Sequence, residues 1–154
     1  MKVYAEFGMA MYNAQCLERE FALSLARVYY SGPKRITWAW FLNFLDSNYK
    51  KTLGKLIFEM RKTTSIPSDM ESTLMEALKK RNWLVHDYFW DRAGHFLTAE
   101  GRELMVNELR NTANFFSQIG EELTAVNRAW ATSRGITEEM RRESLEDLIR
   151  SAGA

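Results

Sequence analysis

The amino-acid sequence predicts an all-α protein: an up-and-down bundle of four to five helices, in a single domain over residues 1–154. Apolar residues recur at steps of three and four over long stretches, which is the period of an amphipathic helix. Only two prolines and eight glycines interrupt the 154 residues, and good helix formers such as Leu, Ala, Glu and Arg are frequent. No stretch shows the two-residue alternation of a strand. The length is sufficient for one domain with a sizeable core.

The composition is that of a globular protein and limits how the chain could bind nucleic acid. Hydrophobic residues make up 46% of the chain and charged residues 27%, as in globular proteins. The net charge of +1 provides no global basic field, so any contact with nucleic acid must come from a local cluster or a patch repeated by symmetry. Cys16 is the single cysteine, which favours a reducing compartment, and we expect a cytoplasmic location.

Several kinds of site and segment are not expected. One cysteine and two histidines argue against a structural zinc site, and no motif indicates a cofactor. The N-terminal residues do not resemble a signal peptide, because acidic and polar residues interrupt them early. The apolar runs are far shorter than the ~20 residues that a membrane-spanning helix needs.

The first half of the chain reads as two helical stretches. Residues 3–30 form one long amphipathic pattern, which we expect Ser31-Gly32-Pro33 to end. Thr37 is a candidate cap for the next stretch. A break is expected at Asp46 to Asn48, with Thr52 as the cap of a continuation. The sequence leaves open whether this is one kinked helix or two.

The middle of the chain begins with a linker of Thr, Ser and Pro at residues 63–67. Ser68 and Glu71 match a capping box, in which each side chain bonds the free backbone N–H of the other. We expect a helix from about residue 68 to about residue 90, followed by a turn over Asp91 to Gly94.

Thr98 is predicted to cap the longest helix, which should run to about Ser133 and end at Gly135. Thr137 is predicted to cap a final, accessory helix over residues 137–154. The long helix carries an apolar seam in alternating steps of four and three, which suits antiparallel packing in a bundle. The seam consists of Met105, Leu109, Thr112, Phe116, Ile119, Leu123, Val126 and Trp130.

The segment that carries candidate chemistry is KKRNWLVHDYFW, residues 79–90. At about 100° per residue, Asn82 and His86 are roughly 40° apart on a helix, and Arg81 and Tyr88 roughly 20° apart. Arg81 and His86 are separated by about 140°. One straight helix therefore cannot aim both at one atom. They could converge if the helix loosens near its end, or if two copies face each other.

The pattern Arg-Asn-x-x-x-His-x-Tyr near the end of a helix resembles the HEPN superfamily, named for higher eukaryotes and prokaryotes nucleotide-binding. The family signature is an arginine, then a polar residue, then a histidine after a gap of four to six residues, as in Arg81, Asn82 and His86. Tyr88 adds the Arg-x4-His-x-Tyr variant of HEPN toxins that are paired with minimal nucleotidyltransferases. The resemblance covers roughly residues 3–130, and the final helix matches least.

The resemblance implies a metal-independent endoribonuclease that acts as a homodimer, as a toxin or a phage-defence effector. RNA supplies its own nucleophile, the 2′-hydroxyl. His86 would serve as acid or base, and Arg81 would stabilise the phosphate charge. Asn82 would hold the ribose, a phosphate or the imidazole. Lys79 and Lys80 either bind flanking phosphates or simply face solvent.

Other interpretations of single residues stay open. Arg81 could be the buried ion-pair partner of a glutamate such as Glu18, which, with Gln15, could point at the motif helix from the first helix. Tyr88 could be a core aromatic or a target of adenylylation by a nucleotidyltransferase antitoxin. His95 is expected at the surface. Three further aromatic residues could stack RNA bases or pack in the core or a dimer: Trp83, Phe89 and Trp90.

Two competing functions also remain. The first is a catalytically inactive HEPN-like module that binds nucleotide, RNA or a partner protein, which the near-neutral charge favours. The second is a structural protein whose apolar seam and aromatic residues serve self-association. Cleavage of RNA in the presence of a chelator separates the enzyme from both.

Overall fold

A computed structural model describes residues 2–29, 36–49, 51–63 and 68–153. These residues are helical almost throughout and include no strand, which confirms the all-α class. The predicted end of the first helix, at Ser31-Gly32-Pro33, lies outside the described residues. So does the predicted linker over residues 63–67, apart from Thr63, which is the last residue of a helix. No helix within these ranges is long and apolar enough to cross a membrane.

The described residues form eight helices, more than the four to five expected. The difference arises because the second stretch is two separate helices and because two four-residue helices follow the motif helix. The bounds are α1 Lys2–Tyr29, α2 Trp38–Tyr49, α3 Leu53–Thr63, α4 Ser68–His86, α5 Tyr88–Asp91, α6 Ala93–Phe96, α7 Ala99–Ser133 and α8 Glu138–Ala152.

Three helices begin where the sequence predicts. The hydroxyl oxygens of Thr37, Thr98 and Thr137 each accept a hydrogen bond from the backbone N–H three residues later, at 3.0 to 3.2 Å. Each hydroxyl thereby satisfies one of the free donors at a helix N-terminus. Gly135 follows α7 with a φ of 92°, a left-handed conformation that suits glycine and ends the helix there.

The expected break at Asp46 to Asn48 is wrong, because α2 continues through these residues to Tyr49. The Ser47 hydroxyl and the Asn48 amide each donate to the backbone carbonyl four residues earlier, both at 2.8 Å. Their polar groups are thus satisfied within the helix. The two helices separate only after Tyr49, which resolves the choice between one kinked helix and two.

The motif helix α4 ends at His86, four residues earlier than expected, and Asp87 forms a turn. The predicted turn over Asp91 to Gly94 is also wrong, since α5 and α6 occupy most of it. The backbone N–H of Asp91 donates to the carbonyl of Asp87 at 2.9 Å, so helical hydrogen bonding resumes directly after the turn.

The two longest helices, α1 and α7, pack against each other and run in the same direction. The Asn13 amide donates to the Ala113 carbonyl at 3.1 Å. Further along both helices, the Asn127 amide donates to the Glu20 carbonyl at 2.8 Å. These pairings position α1 and α7 as the frame on which the motif helix lies.

Helix α4 runs antiparallel to this frame. Its Arg81 meets Glu18 near the middle of α1, and Tyr88, just beyond α4, meets Phe7 near the start of α1. The largest side chains buried between these helices are Leu17, Phe21, Leu25, Leu74, Leu84, Tyr88, Met105, Leu109 and Phe116.

The apolar seam of α7 is buried only in part. It holds from Met105 to Leu123, but Val126 is 50% exposed, and Asn127 and Ala131 are buried instead. A seam with a seven-residue repeat drifts by about 20° per heptad on a straight helix. Over the roughly six turns from Met105 to Val126, this drift has carried Val126 off the core face and brought Asn127 onto it.

Candidate active site on helix α4

Arg81 lies on the face of α4 that looks toward α1. Its Nε is 3.1 Å from Oε1 of Glu18, and the two side chains are 23% and 16% exposed. The structure thus contains the Glu18 ion pair that the sequence offered as one interpretation of Arg81. A guanidinium carries five N–H donors, so this contact does not exhaust its capacity.

The Glu18 carboxylate makes a second contact. The same Oε1 accepts a hydrogen bond from the backbone N–H of Leu53, the first residue of α3, at 3.3 Å. A carboxylate is favourable there because free N–H groups give a helix N-terminus partial positive charge. Glu18 therefore joins three helices at one point and fixes the position from which Arg81 extends.

Asn82 connects Arg81 to the exposed face of α4. Its Oδ1 accepts a hydrogen bond from Nη1 of Arg81 at 3.2 Å, and its side chain is exposed. The structure thus brings together two of the three predicted catalytic residues.

His86 is the last residue of α4 and is exposed, one helical turn beyond Asn82. Its imidazole forms no hydrogen bond with any described residue. The helix loosens at Asp87, beyond both Arg81 and His86, so the loosening cannot turn one toward the other. Within one chain, α4 therefore holds them on separate faces.

The two lysines of the motif differ in their surroundings. Lys79 is exposed. Lys80 turns toward neighbouring side chains: its Nζ is 3.6 Å from Oε1 of Glu76 and 5.4 Å from the ring centroid of Phe115 on α7. Of the two, Lys79 is the better placed to meet a phosphate, because its charge is not shared with a carboxylate of any described residue.

Tyr88 is a core residue. It is 1% exposed, its hydroxyl donates to the Met105 carbonyl at 3.3 Å, and its ring contacts Phe7 and Trp83. Burial, with the nearby Glu108 carboxylate, raises the pKa of its hydroxyl. The interpretation as a core aromatic is thus the one that the structure contains, and adenylylation would require this packing to open.

A clamp of four side chains, which the sequence did not predict, holds the segment after α4 against α7: Trp83, Asp91, Arg92 and Glu108. Arg92 forms a two-point ion pair with Glu108 of α7, at 2.8 and 2.6 Å. Its guanidinium also lies 5.1 Å from the ring centroid of Trp83, and the Trp83 indole donates to Asp91 at 2.8 Å. Nothing in the spacing of these residues predicts the contact, because Glu108 lies sixteen residues away on another helix.

The three aromatic residues that could stack RNA bases differ in how far they are buried. Trp83 is held in this clamp, and Phe89 packs among the rings of Tyr4, Phe7 and Phe96. Trp90 is 84% exposed. Only Trp90 of the three offers an open ring face.

The candidate site lies on the exposed surface of α4. Five concavities on the described surface are lined by other residues, and none of these five includes Arg81, Asn82 or His86. Within the same residues, no group of three or more His, Cys, Asp or Glu side chains is arranged to hold a metal ion. His95 is exposed on α6, as expected.

Comparison of the chain with protein-family models, with curated proteins and with solved structures finds no match in any of the three. The resemblance to HEPN proteins therefore rests on the motif residues and on their place at the end of a helix. The local geometry of these residues carries the functional argument that follows.

Proposed function

We propose that this protein is a metal-independent endoribonuclease, in which Arg81, Asn82 and His86 form the catalytic surface. The observation that carries the proposal is the hydrogen bond from Arg81 to Asn82, one turn before the exposed His86. It connects the Arg81 guanidinium to a polar side chain on the face of α4 that bears the His86 imidazole.

The reaction needs only these residue types. The 2′-oxygen of a ribose attacks the adjacent phosphorus, and its proton passes to one imidazole as base. The bond from phosphorus to the 5′-oxygen breaks, and a second imidazole donates the proton that this leaving oxygen takes. Since a single chain offers one His86, a two-fold dimer would supply the second, His86 of the partner subunit.

Arg81 is suited to the phosphate charge. Glu18 and Asn82 engage its Nε and Nη1, which leaves further N–H donors for two phosphate oxygens. Because the Glu18 carboxylate is itself held at the start of α3, the guanidinium is positioned before substrate arrives. Such preorganised charge is usually a large contribution to catalysis.

The test is cleavage of RNA in the presence of EDTA by the purified protein. Fragments should end in 2′,3′-cyclic phosphate, and His86→Ala should lower the rate at least ~10²-fold, the usual contribution of one acid–base group. His95→Ala is the matched control, since His95 is the other histidine and is also exposed. Undiminished cleavage by the His86 variant would refute the assignment.

A second candidate is a HEPN-like binding module without activity, and the Glu18–Arg81 ion pair favours it. A carboxylate that neutralises the guanidinium weakens its attraction for phosphate. RNA that binds without being cut would support the module. Neither binding nor cleavage, with association of the protein alone, would support a structural protein.

The cellular setting of the proposal comes from the resemblance alone. It comprises a role as a toxin or phage-defence effector in the cytoplasm and a nucleotidyltransferase-type antitoxin as partner. Toxicity on expression, relieved by the His86→Ala variant, would be the expected cellular result. Growth inhibition that survives this substitution would count against the toxin role.

A further inference from the structure

The outer face of α4 and α5 carries an exposed stripe that the catalytic assignment uses only in part. Its four members on α4 are spaced by four, three and four residues, which places them within about a 60° sector of that helix, and the fifth follows four residues later in α5. All five are exposed, and Trp90 most of all, at 84%. The stripe consists of Met75, Lys79, Asn82, His86 and Trp90.

Trp90 follows the turn at Asp87 and belongs to the short helix α5. Asp87 departs from helical geometry, with a φ of −125°, and separates α4 from α5. The backbone N–H of Asp87 donates to the Trp83 carbonyl, and that of Asp91 to the Asp87 carbonyl, both at 2.9 Å. Trp90 lies four residues beyond His86, and both side chains are exposed.

The chemistry of the stripe changes in order along its length. Lys79 offers a cation, Asn82 an amide and His86 an imidazole, and Trp90 ends the series with a large aromatic face. Lys79 and Trp90 are eleven residues apart, about 16 Å along a helix, the length of a short stretch of nucleotides. Proteins that hold single strands combine such cations with aromatic rings on which unpaired bases stack.

We propose that Trp90 is a stacking platform for one base of single-stranded RNA, next to the phosphate that faces His86, while Lys79 contacts the backbone on the other side. The proposal rests on the proposed function and names its substrate as unpaired RNA. Bases in a duplex present no free face to an indole, so a double strand would not use the platform.

Two acidic residues, Asp87 and Asp91, lie on one flank of the stripe and provide a further test of the proposal. Asp91 is already bonded to the Trp83 indole, but Asp87 is exposed beside His86. A strand that passes from His86 to Trp90 brings a phosphate near this carboxylate. Asp87→Asn should therefore bind RNA more tightly than the wild-type protein, most clearly at low salt.

The test measures the affinity of the full chain for unstructured 2′-O-methyl RNA, which lacks the nucleophile and cannot be cut by this route. Trp90→Ala should bind roughly tenfold to a hundredfold more weakly, the usual effect of losing one stacked base. Trp90→Phe should retain most of the affinity. Leu97→Ala, at another exposed apolar residue (81%), should change nothing.

The outcomes separate this inference from the proposed function. Equal affinity of the Trp90→Ala variant, or no binding by the wild type, would overturn the platform even if RNA is cleaved through His86. Dependence of binding on Trp90 without any cleavage would support the platform and remove the nuclease. If Trp90→Ala instead abolished self-association, measured by sedimentation, the indole would be a protein contact and the inference wrong.

Discussion

The carboxylate of Glu18 joins α1, α3 and α4, and we predict that its charge contributes measurably to stability. Glu18→Gln retains the size and one carbonyl acceptor, so the hydrogen bond from Leu53 can persist. The substitution removes the charge that faces the Arg81 guanidinium at 3.1 Å. It leaves a partly buried arginine without a counter-ion, which is the costly half of such a change.

The expected loss of stability can be estimated from the burial of the Glu18–Arg81 ion pair. Exposed ion pairs contribute about 0.2–1 kcal/mol, whereas removal of one partner from a buried pair costs about 3–5 kcal/mol. With side chains 23% and 16% exposed, the pair lies between these cases, so we expect a loss of about 2 kcal/mol. For a chain of this length that loss corresponds to a fall in Tm of roughly 4–8 °C.

The assay is a double-mutant cycle in urea with Glu18→Gln, Arg81→Gln and the double variant, which isolates the coupling between the two charges. The pair of Glu6 and Arg110 is the control, because its arginine is 49% exposed, and we expect it to couple by less than about 1 kcal/mol. A coupling at Glu18 no larger than that of the control would refute the argument from burial.

Two further predictions concern backbone space and pH. Gly101→Ala should destabilise by about 1–3 kcal/mol, because its Cβ would clash with the backbone carbonyl of His95. Gly120→Ala, with nothing within 4 Å of its Cβ, should stabilise by about 0.5–1 kcal/mol. Thermal unfolding of both variants checks this. The pKa of the Tyr88 hydroxyl is raised above its ordinary 10.0. The stability that the protonated hydroxyl contributes is therefore complete below pH 10 and declines as pH rises further. Tyr88→Phe should lack this decline, and parallel urea stabilities of the two proteins from pH 9 to 11 would contradict it.

The parts of the fold that could be predicted are those decided within a few residues of chain. Thr98 caps α7 because its hydroxyl reaches an N–H three residues away, whatever the rest of the protein does. The same holds for the shared face of Asn82 and His86, which follows from 3.6 residues per turn. Local geometry also predicted that Arg81 and His86 would lie apart.

The parts that could not be predicted depend on contacts between distant residues. The sequence offers the pair of Glu18 and Arg81, 63 positions apart, only as one of several interpretations, and nothing in it indicates the contact of Glu18 with Leu53, 35 positions away. The end of α4 at His86 depends on packing around Tyr88 and Arg92, which bond to α7. Val126 is exposed and Asn127 is buried in its place because the seven-residue repeat drifts around the helix over several turns.

Arg81 has two proposed roles, and one substitution distinguishes them. In Arg81→Lys the ammonium keeps the charge and can still approach Glu18, so most of the stability of the ion pair should persist. An ammonium is a point charge, however, and cannot bond Glu18, Asn82 and two phosphate oxygens in one plane. If Arg81 stabilises the scissile phosphate, the variant should unfold within about 1 kcal/mol of wild type and yet cleave RNA at least ~10²-fold more slowly. Cleavage within a factor of two of wild type would leave the guanidinium a structural role alone.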